Sequence, residues 1–214
     1  MNQTKTKNVI FQKGRTGQHR FTYNNTEIEI VNEYKYLGIY FSRTGSFYKT
    51  KKHIAEQGTR ALYSLIKKAR ILMLPIDMQI DIFNKTVKPI LLYGSEIWGH
   101  GNLDVIERVQ LKFLKHILSL KKLTSNCIVY GETGVFPIYI DIYNRSINYW
   151  AKIAAQDYNK ISFCVYSCLK NKYIGVQTPS VRKRNFAWIH NIQTILISCG
   201  LSGIWQSHIF PNQK

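Results

Sequence analysis

The hydrophobic period of this chain changes once, and that change constrains the fold more than any single motif. Up to about residue 45, apolar and polar residues tend to alternate. From residue 47 onward, apolar residues recur at every third and fourth position. Period two marks strands and period 3.6 marks helices. The pattern predicts an α+β chain that is mainly α. A short antiparallel sheet in residues 1–46 precedes an all-helical region in residues 47–214.

The switch falls on Tyr34-Lys-Tyr-Leu-Gly-Ile-Tyr-Phe-Ser-Arg-Thr-Gly45. Aromatic and β-branched residues crowd this stretch, which favours a strand. A continuous strand would put Tyr34, Tyr36, Gly38 and Tyr40 on one face and Leu37, Ile39 and Phe41 on the apolar other. Gly38 would leave a gap for the approach of a second backbone, and Arg43 would add charge to a turn ending at Gly45. Such a segment is either a plain amphipathic strand or a strand and turn that hold a nucleic-acid backbone. Upstream, residues 8–11 read as a short strand. Residues 21–31 read as a hairpin about Asn24 and Asn25, which tolerate the positive φ of a tight turn.

Four long amphipathic segments follow. Ile54, Gly58, Ala61, Leu65, Ala69 and Leu72 form the inner stripe of a helix ending before Pro75, with Lys52, Arg60 and Lys67 on its outer side. A second helix starts near Asp77 and runs past Pro89 toward Trp98. A third, capped by Asn102, turns Leu103, Ile106, Val109, Phe113 and Leu114 inward and Arg108, Lys112 and Lys115 outward. After a short helix near residues 125–130, Pro137 opens another reaching about Ala155. A short helix is expected at residues 161–169 and a last long one at about residues 180–199.

Charge narrows the partners. Thirty Lys and Arg oppose twelve Asp and Glu, a net charge of +18. The outward stripes are almost entirely of one sign, so they repel themselves with little compensation along the helix. Arg182-Lys183-Arg184 would fall in the first turn of the last helix, where the macrodipole disfavours cations unless a phosphate binds there. This excess points to a polyanion, most simply nucleic acid. An anionic membrane is the rival surface, but no apolar run approaches the roughly 20 residues of a spanning helix. The first residues carry no apolar leader core. The expectation is an intracellular protein, nuclear or cytoplasmic, without a membrane partner.

Catalytic chemistry is not visible. Asp77, Asp81, Asp104, Asp141 and Asp157 are scattered, whereas metal-dependent phosphoryl transfer needs carboxylates held together. No GxGxxG, P-loop, GxSxG or HExxH pattern occurs. Cys127, Cys164, Cys168 and Cys199 make no disulfide framework. Cys164, Cys168, His190 and Cys199 match no common zinc spacing. No catalytic residue and no metal ligand is assigned.

Several blocks resemble the reverse transcriptases of non-LTR, LINE-like retrotransposons. Lys88-Pro-Ile-Leu-Leu-Tyr-Gly-Ser-Glu-Ile-Trp-Gly99 and Ile106-Glu-Arg-Val-Gln-Leu-Lys-Phe-Leu114 resemble segments downstream of the polymerase core. Tyr36-Leu-Gly-Ile-Tyr-Phe41 resembles the primer-grip block, and Lys5-Thr-Lys-Asn-Val-Ile-Phe11 the Lys-Thr-Lys motif upstream of it. Gly131-Glu-Thr-Gly-Val-Phe-Pro137 and residues 145–150 continue the likeness in order. The resemblance implies that Lys5 or Lys7 lies in a palm motif near the incoming triphosphate. It implies that Tyr36, Leu37 and Gly38 support the primer end, and that the helices form a thumb and linker around the template–primer duplex. The family's catalytic aspartates have no counterpart here, so such a segment would bind RNA or DNA and be inactive by itself. It would use Mg2+ only when joined to a complete palm.

The expected contacts to nucleic acid are Lys5, Lys7, Tyr36, Leu37, Gly38, Arg43, Lys52, Arg60, Lys67, Arg108, Lys112, Lys115, Arg182, Lys183 and Arg184. Two other readings fit the same residues: a self-standing basic helical module that binds nucleic acid or protein, and a retroelement remnant without function.

Overall fold

The computed structural model describes residues 6–12 and 20–207, except for the side chain of Arg184. Among these residues β1 (Thr22–Tyr23) pairs antiparallel with β2 (Thr26–Glu27), and β3 (Glu33–Tyr36) with β4 (Ile39–Ser42). Ten helices follow: α1 (Tyr48–Ile71), α2 (Ile76–Leu91), α3 (Ser95–Trp98), α4 (Asp104–Ile117), α5 (Asn126–Thr133), α6 (Ile138–Ala154), α7 (Ile161–Gly175), α8 (Pro179–Asn185), α9 (Ala187–Ser198) and α10 (Ser202–Ser207). The chain is α+β and mainly α, as the change of period predicts.

The first hairpin turns at Asn24 and Asn25, with φ of 47° and 57°. The second corrects the expectation of one continuous strand. Leu37 and Gly38 both take positive φ, 47° and 84°, and fold residues 33–42 into a two-residue hairpin. Tyr36 then pairs with Ile39, and Tyr34 with Phe41. Paired residues share a face, so Tyr34 and Tyr36 lie on the same side as Ile39 and Phe41 rather than opposite them, whereas Tyr40, paired with Lys35, keeps the opposite face. The expected gap at Gly38 is closed by Tyr93. A Cβ there would lie 3.3 Å from the Tyr93 ring, and the Tyr93 hydroxyl donates to the Leu37 carbonyl at 2.8 Å. The strand expected at residues 8–11 reduces to one parallel bridge between Asn8 and Ile30.

Two apolar cores meet on α6. The first gathers Ile39, Ile54, Leu62, Phe83, Val87, Trp98, Ile106, Phe113, Ile138 and Ile142. Phe83 stacks on Phe113 with ring centroids 4.3 Å apart, which joins α2 to α4. The hairpin belongs to this core. Ile39 is buried in it, and the buried Thr50 hydroxyl both accepts from the Tyr40 N–H and donates to the Tyr40 carbonyl. The second core holds Trp150, Tyr166, Tyr173, Ile189, Ile192 and Trp205. The Trp188 indole donates to the Glu96 carbonyl at 3.0 Å and ties α9 to α3.

Two expected helices are divided. The helix expected to run from Asp77 toward Trp98 stops at Leu91, because Gly94 takes φ 64° and starts α3 in a new direction. The last helix breaks at Phe186 (φ −129°, ψ 42°) into α8 and α9. Arg182 and Lys183 therefore sit at the fourth and fifth positions of a seven-residue helix and not at the start of a long one.

Lys51 is the cation that the stripe pattern hides. It is only 6% exposed, and its ammonium donates to the carbonyls of His100 and Asn102, the latter at 2.9 Å. This pins the N-terminal part of α1 to the loop that launches α4. Burial pushes the Lys51 pKa down to about 8. Burial, with the neighbouring Lys51 charge, holds His100 at about 4, below its ordinary 6.5. A neutral His100 thus contributes stability that is full above pH 6.5 and lost as pH falls through 4. Wild type is expected to lose about 2 kcal/mol more than His100→Gln between pH 7 and 4.5, after allowance for partial exposure. Urea unfolding of both proteins at the two pH values checks this.

Candidate nucleic-acid interface

The basic stripes expected on two separate helices face one another. α1 packs against both α2 and α4, and Gly58 of α1 lets Leu91 of α2 approach closely while touching Val109 of α4 at ordinary van der Waals distance. A Cβ there would lie 2.3 Å from Leu91 Cδ2 and 3.8 Å from Val109 Cγ1. On the outer side of this contact runs an open groove of about 420 Å³. Lys52 and Arg60 line one wall, Arg108 and Lys112 the other, and Ala55, Val105 and Val109 contribute apolar lining. All four cationic residues are exposed, and Glu56 is the single acid lining the groove.

Among the described residues, ion pairs join Lys7 to Glu29, Lys49 to Glu33, Lys85 to Asp81 and Lys88 to Asp141. None involves a groove cation. Lys112 instead donates to the Tyr63 hydroxyl, with its ammonium 4.3 Å from the ring centroid. Lys67 is exposed two turns beyond Arg60 and one turn beyond Tyr63, so it extends the same face of α1.

Other expected contacts fall elsewhere. Tyr36 and Leu37 form an exposed hairpin tip, 58% and 69% exposed. With Gly38 and Tyr93, Leu37 borders a second depression of about 490 Å³ whose α1 residues are Ile54 and Gln57. At 3.6 residues per turn these lie on the opposite flank of α1 from Lys52 and Glu56, so the tip and the basic groove are separate surfaces. Arg43 is half-buried in a third depression at the start of α1, beside Asn32 and Lys49.

Three expected contacts are committed inside the chain. Lys7 pairs with Glu29. Lys115 donates to the carbonyls of Lys122 and Thr124 at 2.9 and 2.7 Å, closing the loop after α4. Arg182 donates to the carbonyls of Val176 and Ile174 and lies over the Tyr173 ring at 5.0 Å. Lys183 is exposed on α8, away from the groove residues in sequence and in the second core's neighbourhood. Lys5 and the side chain of Arg184 lie outside the described residues.

Glu107 shows how α4 is oriented. The Tyr130 hydroxyl donates to it, and the backbone of Ile138 and Tyr139 at the start of α6 favours its charged form. Burial still raises its pKa, the largest influence on it. The carboxylate serves the helix N-terminus, a favoured place for negative charge.

Among the described residues no three His, Cys, Asp or Glu side chains come together to hold a metal ion. The four cysteines are free and exposed. The described residues do not form the carboxylate cluster that Mg2+ would need. No helix among the described residues is long and apolar enough to cross a membrane. Comparison with family models, curated proteins and solved structures returns no match for this chain.

Proposed function

We propose that this chain binds the sugar–phosphate backbone of nucleic acid in the groove between α1 and α4. It would serve as the thumb-like, template–primer-binding segment of a LINE-like reverse transcriptase whose catalytic part lies elsewhere. The observation that carries this reading is the convergence of Lys52, Arg60, Arg108 and Lys112 on one groove with a single opposing acid. Two helices that repel one another across such a groove gain when a row of phosphates lies between them. Contacts of this kind position a duplex without reading its bases. The resemblance in order from Lys5 to Trp150 supports the polymerase assignment.

Glu56 supplies the test within the groove. Removing its charge takes away the one local repulsion of a phosphate. Glu56→Gln is expected to bind a short RNA–DNA duplex about three- to tenfold more tightly at low salt, with the gain fading as salt screens it. Fluorescence anisotropy titration measures this. Unchanged or weaker binding by a folded Glu56→Gln would mean that phosphates do not occupy this groove.

A further inference from the structure

The turn between α1 and α2 carries an apolar tip that the groove reading does not use. Ile71 is 68% exposed, Leu72 65% and Met73 90%, and Ile76 follows them on the surface. The tip is held in one shape. The Leu72 N–H donates to the Lys68 carbonyl, the Leu74 N–H to the Ala69 carbonyl, and the Gln79 side chain to the Leu74 carbonyl at 2.8 Å. Met73 ends the helix with φ 47°, the left-handed position normally given to glycine or asparagine. A methionine there is strained, and its side chain gains almost no burial in return. The left-handed conformation closes the helix, as it does at Ser119 after α4, but at Met73 it leaves a large apolar side chain in solvent beside three other exposed apolar residues.

The surroundings specify the partner. Lys67, Lys68 and Arg70 are exposed on the last two turns of α1, and the last acid on that helix is Glu56, far from the tip. Lys67 continues the groove face, so a polyanion lying in the groove reaches the tip with its backbone already neutralised. Cations lie on the α1 side of the tip, and Asp77 in the first turn of α2 is the acid on the other side. An apolar point on a rigid turn with three cations on its α1 side suits the shallow, base-lined minor groove of a duplex, where apolar side chains wedge between base steps.

We infer that Leu72 and Met73 form an apolar wedge that enters the minor groove of the duplex held by α1 and α4 and partly unstacks one base step. This inference rests on the groove reading above, and it assigns the tip a contact with bases where the groove contacts only phosphates. The wedge fixes where along the thumb the duplex bends.

The test uses the full chain and an RNA–DNA duplex with 2-aminopurine at successive positions of the DNA strand. Wild type is expected to raise 2-aminopurine fluorescence severalfold at saturation. Met73→Asn suits the left-handed turn but removes the apolar point. It is expected to abolish the rise and weaken binding about tenfold, with the salt dependence unchanged. Met73→Leu, which keeps an apolar side chain, is expected to retain both. A Met73→Asn variant that unstacks and binds like wild type overturns the wedge while leaving the groove intact. If the groove reading itself fails, the salt slope is insensitive to the groove cations, a separate result. Vesicles of phosphatidylserine bound by wild type and lost by Met73→Asn, without any 2-aminopurine response, would assign the tip to a lipid surface and also overturn the proposal.

Discussion

Replacing Gly99 by alanine is expected to cost about 3 kcal/mol or more, a large share of the 5–15 kcal/mol that holds a domain together. Gly99 closes α3, and its N–H donates to the Ser95 carbonyl at 2.7 Å. A Cβ at Gly99 would lie 2.3 Å from that carbonyl oxygen and 2.5 Å from Ile142 Cγ2. Neither neighbour can yield cheaply. The carbonyl is backbone held in the turn, and Ile142 is fully buried on α6. Relief requires α6 to move away from α3, which opens the first core at the point where both cores meet. The same movement displaces His100 and Asn102, whose carbonyls hold Lys51, and so loosens the placement of α4 against α1. Gly131→Ala is the contrasting substitution. Gly131 lies inside α5 with nothing within 4 Å of its added Cβ, so alanine there should stabilise by about 0.5–1 kcal/mol. Denaturant unfolding of the two variants should give shifts of opposite sign. A Gly99→Ala protein as stable as wild type would show that α3 and α6 are not packed as described.

The main architecture could be read from the sequence because amphipathic helices announce themselves locally. The inner stripe of α4 is an example: Leu103, Ile106, Val109, Phe113 and Leu114 are all buried. Turns were legible only where their chemistry was overt. Asn24 and Asn25 signalled a tight turn, whereas Leu37 took the same left-handed conformation without any composition cue. Tyr93 stabilises that turn from 56 residues away, a contact that no local pattern encodes. The break at Phe186 was likewise unmarked by glycine or proline.

The candidate site was half legible. Each basic stripe could be seen on its own helix. That α1 and α4 bring the two stripes to one groove is a consequence of nonlocal packing. Charge pattern also cannot separate a solvated cation from a structural one. Lys51 and Lys52 are neighbours, yet one is buried beneath two carbonyls and the other lines the groove. Lys115 follows the outward spacing of Arg108 and Lys112, but carbonyls seven and nine residues downstream draw its ammonium into a loop.

The largest effect on binding is expected from the groove cations together. Each phosphate neutralised on B-form DNA releases counterions and adds about 0.9 to the slope of log K against log salt. Three contacts removed should flatten that slope by about two to three units. The fold should be retained, because Lys52, Arg60 and Arg108 are exposed and make no ion pair among the described residues. A control triple carries the same loss of charge at Lys152, Lys160 and Lys172, exposed residues on helices of the second core or at their ends. A chain that attracts nucleic acid only through its net charge of +18 would respond alike to both triples.

The deciding measurement is therefore the salt dependence of duplex binding for wild type, for Lys52→Gln/Arg60→Gln/Arg108→Gln, and for the control triple, with far-UV circular dichroism confirming that all three are folded. A groove that holds a phosphate backbone predicts a slope about two to three units shallower for the groove triple and nearly unchanged for the control. A groove triple whose slope stays within about one unit of wild type, or that matches the control, contradicts the account.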